Sequence, residues 1–105
     1  MTAAPDPSGY TVTSIAREMR RSTTRVAALL AETLGSLIEN QELFPGGPPA
    51  GRWRDVREAQ ADLVAGGNPT LHELAVALGL PPQIIMCAFA RKCMRLGLIP
   101  EVRAQ

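Results

Sequence analysis

The sequence predicts an all-α fold of about five helices, with short wing strands as the one β element it leaves room for. Three observations carry this. Apolar residues recur at helical spacing in nearly every segment between turns. Gly and Pro gather at a few sharp breaks, above all PGGPPAG at 45–51 and GGNP at 66–69. The pattern of residues 70–99 also recurs at 10–34, so the chain reads as two helix-turn-helix-like units.

Residues 1–9 hold Pro5, Pro7, Ser8 and Gly9 and little to bury, which predicts a disordered lead-in. The first unit spans 10–44. Shifted by 59 positions, Thr11 falls on Thr70, Ile15 on Leu74, Ala16 on Ala75, Met19 on Leu78 and Val26 on Ile85. After a slip of three residues, Leu34 and Gly35 correspond to Leu96 and Gly97, and Leu37 and Ile38 to Leu98 and Ile99. Arg20 stands where the second unit has Gly79, so the first turn should differ in shape or its first helix should run longer. Ser22 suits an N-cap, and Val26, Leu29, Leu30, Thr33 and Leu37 form an apolar stripe behind it. Gly35 favours a break, leaving 36–44 as a wing strand or an extension of the helix.

Residues 45–51 read as a hinge between two halves. Residues 52–65 form a helix with Trp53, Val56, Gln60, Leu63 and Val64 along one side, and Arg54 and Glu58 spaced as an i,i+4 ion pair. The second unit then completes residues 52–105. Thr70 and Glu73 have the spacing of a capping box. Gly79 can end a helix in the left-handed region, and Pro82 suits the first turn of the next. The 52–65 helix supplies a wall for this unit. The first unit has no such helix before it and must borrow one from the second half or from a partner chain, which favours one fused domain or an intertwined dimer. The expected core is Ile15, Met19, Val26, Leu30, Trp53, Leu74, Leu78, Ile85, Phe89 and Leu96.

Ala75, Gly79 and Ile85 carry a family resemblance. A small residue in the first helix, a Gly four positions later and a branched apolar residue six beyond that resemble the helix-turn-helix family, and Leu96, Gly97, Leu98 and Ile99 resemble the start of a wing in winged-helix proteins. The same stretch is also similar to the small N-terminal subdomains of the bacterial translation-initiation GTPase, which are adaptors. The first resemblance implies DNA binding by the second helix of a unit; the second implies protein contacts alone.

Composition bounds the function. The chain has 105 residues and a formal charge of +1, weakly basic for a dedicated nucleic-acid domain. No apolar run reaches membrane-spanning length, and the N-terminus lacks the charged and apolar regions of a signal peptide; the cytoplasm is the expected compartment. Cys87 and Cys93 fall on different faces of one helix, so neither a disulfide nor a shared metal is expected. His72, the only histidine, belongs to exposed helix surface. No metal-ligand cluster, phosphate-binding Gly loop or paired carboxylate appears, so no enzyme activity, cofactor or small-molecule substrate is expected.

What remains is local charge. Residues 11–30 carry Arg17, Arg20, Arg21 and Arg25 against Glu18 alone. In helix-turn-helix proteins the start of the second helix meets the major groove. The resemblance therefore places Ser22, Thr23, Thr24 and Arg25 at double-stranded DNA, with Arg17, Arg20 and Arg21 beside them on phosphate. The second unit has Pro81, Pro82 and Gln83 there, with no cation. Its helix is apolar all round at 84–90, which predicts burial on every side, with Ile84, Met86, Cys87 and Phe89 at a homodimer or partner interface. Arg91, Lys92 and Arg95 sit at its end, where cations favour a helix C-terminus. The expectation is a small DNA-binding regulator or accessory factor whose second unit dimerises or recruits a partner; the alternative is a protein adaptor without nucleic-acid contact.

Overall fold

The structure, a computed structural model, describes residues 7–98. Five helices follow a 3-10 turn at Pro7–Gly9: α1 Val12–Met19, α2 Thr23–Ile38, α3 Ala50–Val64, α4 Leu71–Leu78 and α5 Pro82–Arg95. Among the described residues there is no strand, only an isolated antiparallel bridge between Thr11 and Thr70. The fold is all-α.

The two units share one backbone design. Helices α1 and α4 start at positions 59 apart and have the same length, as do the three-residue turns that follow them. Thr11 caps α1 and Thr70 caps α4. These two caps are the bridged pair, and the Leu71 N–H donates to the Tyr10 carbonyl at 2.8 Å. Both first helices end in a left-handed residue. Gly79 has φ 72 and ψ 30, and Arg20 has φ 57 and ψ 43. In each case two N–H groups fold back on the carbonyl of the small residue four positions earlier, Ala16 or Ala75. The turn at Arg20 thus has the same shape as the turn at Gly79, against the expectation that it would differ. α4 and α5 are bent by 105°, within the range of helix-turn-helix motifs.

Other expectations are corrected. α2 runs unbroken through Gly35 to Ile38. A Cβ on Gly35 would lie 3.0 Å from Gln60 Nε2, and that amide donates to the Ala31 carbonyl at 2.8 Å, so this Gly admits α3 rather than ending a helix. The three-residue slip disappears too. At the constant offset Leu34 matches Cys93, both fully buried, whereas Gly97, at φ 71, follows the end of α5. The Leu98 N–H bonds back to the Cys93 carbonyl at 2.9 Å, so 96–98 closes the helix instead of starting a wing; Ile99 lies outside the described residues. At the N-terminus, Pro7 is buried and the 3-10 turn packs on α4 and α5, so 7–9 is no disordered lead-in. α3 begins two residues early, inside the expected hinge.

α2 packs on α3 and α5, and α4 packs on the same two helices, while α3 and α5 do not touch. The four form a ring in which the α2/α5 seam lies opposite the α3/α4 seam. α1 packs on α2. The wall the first unit lacks is therefore α3, taken from the second half. One apolar cluster draws on all five helices, with Val26, Leu34, Leu63, Leu78, Ile85 and Cys93 fully buried. Of the expected core, Met19 and Trp53 are half-buried at its edge, and Leu96 is 51% exposed because it follows the last turn of α5. Val64, expected on the inner face of α3, is 74% exposed, since Val56, Gln60 and Leu63 already fill that face. Glu73 donates its N–H to the Thr70 hydroxyl at 3.1 Å, but its carboxylate returns no bond, so the box there is half made; the complete box is at Thr11 and Ser14. Arg54 and Glu58 form no ion pair; Lys92 and Glu32, at 3.6 Å, make the one found among the described residues.

Candidate nucleic-acid interface

The end of α1, the turn and the start of α2 bring all seven DNA-facing candidates to one place. Arg17 lies in the last turn of α1, Arg20 and Arg21 in the turn, Ser22 at the N-cap, and Thr23, Thr24 and Arg25 in the first turn of α2. Every one is exposed. The burial behind them holds them there: Ile15 and Ala16 anchor α1, and Val26 and Ala27 anchor α2.

Three features make this end suited to an anion. None of its four guanidinium groups is in an ion pair. The Ser22 hydroxyl accepts from the Arg25 N–H at 3.1 Å, which fixes the helix start, while the N–H groups of Thr23 and Thr24 make no hydrogen bond within the protein. These donors lie at the positive end of the α2 dipole. Third, Arg20 occupies left-handed backbone where Gly would be unstrained, at a cost of roughly 1–2 kcal/mol. The sequence flagged Arg20 only as a departure from the pattern.

The equivalent turn in the second unit cannot do this. Pro82 removes the N–H donor that corresponds to Thr23, leaving only that of Gln83. Arg52 lies over Gly79, and its Nη1 donates to the Val76 carbonyl at 2.8 Å, closing the end of α4.

No protein-family model, curated protein or solved structure matches this chain.

The body of α2 is less available than its first turn. Val26, Ala27, Leu29, Leu30, Ala31, Thr33, Leu34, Leu37 and Ile38 are buried, with α3 along one side and α5 along another. The exposed line beyond Thr24 runs through Ala28 and Glu32, and a carboxylate there opposes phosphate. Beyond its first turn α2 leaves only the narrow line of Ala28, Glu32 and Ser36 open to a partner.

The expected interface on α5 separates into two faces. Phe89 belongs to the core with Ile85 and Cys93, an i,i+4,i+8 stripe, so it is not at a surface. Within the chain Ile84 and Met86 are half-buried and Cys87 is exposed, so the fold itself buries one side of α5 and leaves the other open. Ile84 and Cys87 border a groove of about 480 Å³ between α5 and the C-terminal half of α2. The two cysteines are unpaired. Burial raises the Cys93 thiol above its ordinary pKa, against an opposing pull from Arg25 and Lys92. His72 is exposed on α4. Among the described residues no cluster of His, Cys, Asp or Glu could hold a metal ion, and no single helix is long and apolar enough to cross a membrane.

Proposed function

We propose that this protein is a small non-enzymatic accessory factor or regulator, acting in the cytoplasm, that binds double-stranded DNA through the turn of its first unit. The observation that supports the reading is the gathering of four unpaired arginines and two free helix N–H groups on one exposed turn. Arg17, Arg20, Arg21 and Arg25 would contact phosphates, with Ser22, Thr23 and Thr24 adding hydroxyl and backbone donors. Because α3 and α5 cover the body of α2, the contact would be mostly to the DNA backbone, so binding would tolerate changes of sequence and fall steeply with salt.

Fluorescence anisotropy of a labelled random duplex at several salt concentrations tests this. Three or four phosphate contacts give a slope of log K against log salt of about −2.7 to −3.6. An Arg21→Ala/Arg25→Ala variant should flatten the slope by about two phosphates' worth, with thermal stability unchanged. No binding at low salt would refute the reading. The adaptor alternative is supported by a different feature, the groove between α2 and α5.

A further inference from the structure

The α2/α5 groove has a chemical counterpart on the opposite side of the ring. Its floor is apolar, from Leu37, Ile84 and Ala88, and its rim carries Arg91, Lys92 and Arg95. α5 contains no acidic residue, and Glu42 is the one carboxylate bordering the groove, leaving an excess of positive charge. Lys92 is engaged by Glu32, but Arg91 and Arg95 are exposed and unpaired. The α3/α4 seam has the reverse character. Asp55, Glu58, Asp62 and Glu73 surround Val76 and Ala77, and none of the four carboxylates is in an ion pair. Arg52 lies there too, committed to the α4 carbonyls. Val76, 59% exposed, is one of three large apolar side chains left in solvent among the described residues.

We propose that the protein associates head to tail, the α3/α4 seam of one copy seating in the α2/α5 groove of the next. Two observations select this occupant. Opposite charge surrounds an apolar centre on each surface, with Val76 matched to the Ile84 floor. A two-fold dimer through α5 would instead set Arg91 and Arg95 against their own copies, and like charges brought together at an interface are repulsive. Because the seams lie on opposite sides of the ring, the contact is heterologous and does not close on two copies, so assembly grows with concentration. This surface shares no residue with the DNA-facing turn, and its test needs no DNA.

Sedimentation velocity of the full chain, from about 0.02 M to about 0.5 M salt, reads the association. The expected result at low salt is an average mass that climbs with concentration past twice the 11.2 kDa protomer, returning to the protomer at high salt. Arg91→Glu/Arg95→Glu and Glu58→Lys/Glu73→Lys should each abolish the climb, and mixing the two variants should restore it. Circular dichroism melts check that both variants fold. Cys87 in the groove gives a second readout: its reaction with a thiol reagent should slow several-fold as the wild-type concentration rises at low salt. A protomer at every concentration overturns the proposal. So does a species that saturates at two copies, or an association that both charge reversals leave intact.

Discussion

Replacing Arg20 with Gly separates the two contributions this residue makes. Its backbone is left-handed, at φ 57, which costs a residue with a Cβ roughly 1–2 kcal/mol. Gly removes that cost but frees the unfolded chain by about 0.4–1 kcal/mol. The Arg20 side chain is exposed and unpaired, so its loss forfeits little packing. The net expectation is a gain of about 0.5–1 kcal/mol, and at roughly 4–8 °C per kcal/mol for a domain of this size the melting temperature should rise by about 2–8 °C. Arg20→Ala keeps the Cβ and the strain, so it should melt with the wild type. Both variants lose the same charge, so both should lose the same single phosphate from the salt slope of DNA binding. Thermal melts and anisotropy on the three proteins decide the matter. If the Gly and Ala variants melt together, the strain at position 20 is imaginary. If only the Gly variant loses DNA affinity, the backbone rather than the charge makes the contact. The mirror experiment is Gly79→Ala. It adds the left-handed cost and sets a Cβ 2.9 Å from the Arg52 guanidinium, displacing a hydrogen bond worth about 1 kcal/mol, offset by about 0.4–1 kcal/mol from the stiffer unfolded chain, so a loss of about 1–2.5 kcal/mol is expected.

Other outcomes follow from burial and caps. Ile85→Ala empties a fully buried site between α4 and α5 and should cost about 2–5 kcal/mol in urea unfolding, whereas Leu96→Ser, at an exposed site, should stay within about 0.5 kcal/mol. Thr11→Ala and Thr70→Ala should each destabilise by about 1 kcal/mol, since each removes one N-cap bond, and Ser14→Ala should destabilise as well because Ser14 Oγ accepts from the Thr11 N–H; an unchanged melt for Ser14→Ala would show that the reciprocal bond adds nothing. Cys93 links stability to pH. Its pKa is raised in the folded chain, so above the ordinary thiol value of about 8.5 the native state holds a proton the unfolded chain has lost. Stability should be full at neutral pH and fall as pH rises through that window. The fall should be shallower in Cys93→Ala, and parallel urea midpoints for the two proteins across that range would remove Cys93 as the cause.

The helices and the repeat were legible because both rest on local chemistry. Thr11, Thr70 and Ser22 cap, Gly79 stops, and apolar residues recur at helical spacing. Where the reading failed, the cause was tertiary. Gly35 looked like a break because nothing in the sequence says that Gln60 from α3 must come close. Val64 and Leu96 looked buried by periodicity, yet Val64 lies beside the inner face that Val56, Gln60 and Leu63 fill, and Leu96 follows the last turn of α5. The seven residues at the first turn were gathered by the helix-turn-helix resemblance and the local excess of Arg, and the structure brings them to one place because they are contiguous or one turn apart. The two charged seams were not found. The first joins α2 and α5, far apart in sequence; the second joins the consecutive α3 and α4, whose packing faces the sequence does not give, and only the ring order sets the two on opposite sides.

The difference between the units says more about function than their likeness. Two turns with the same dihedral plan carry opposite chemistry. At the first, Arg20 is held in strained backbone, two N–H donors are open, and no carboxylate is paired with the arginines. At the second, Gly79 removes the strain, Pro82 removes one of the two donors, and Arg52 closes the end of α4 from outside. A turn built only to hold two helices would be expected to resemble the second, which is unstrained and has no cation at its helix start. Stability alone gives no reason for Arg rather than Gly at position 20, nor for three further cations left without partners around it. A ligand of negative charge accounts for both, because it would engage the donors and the guanidinium groups that the fold leaves unused.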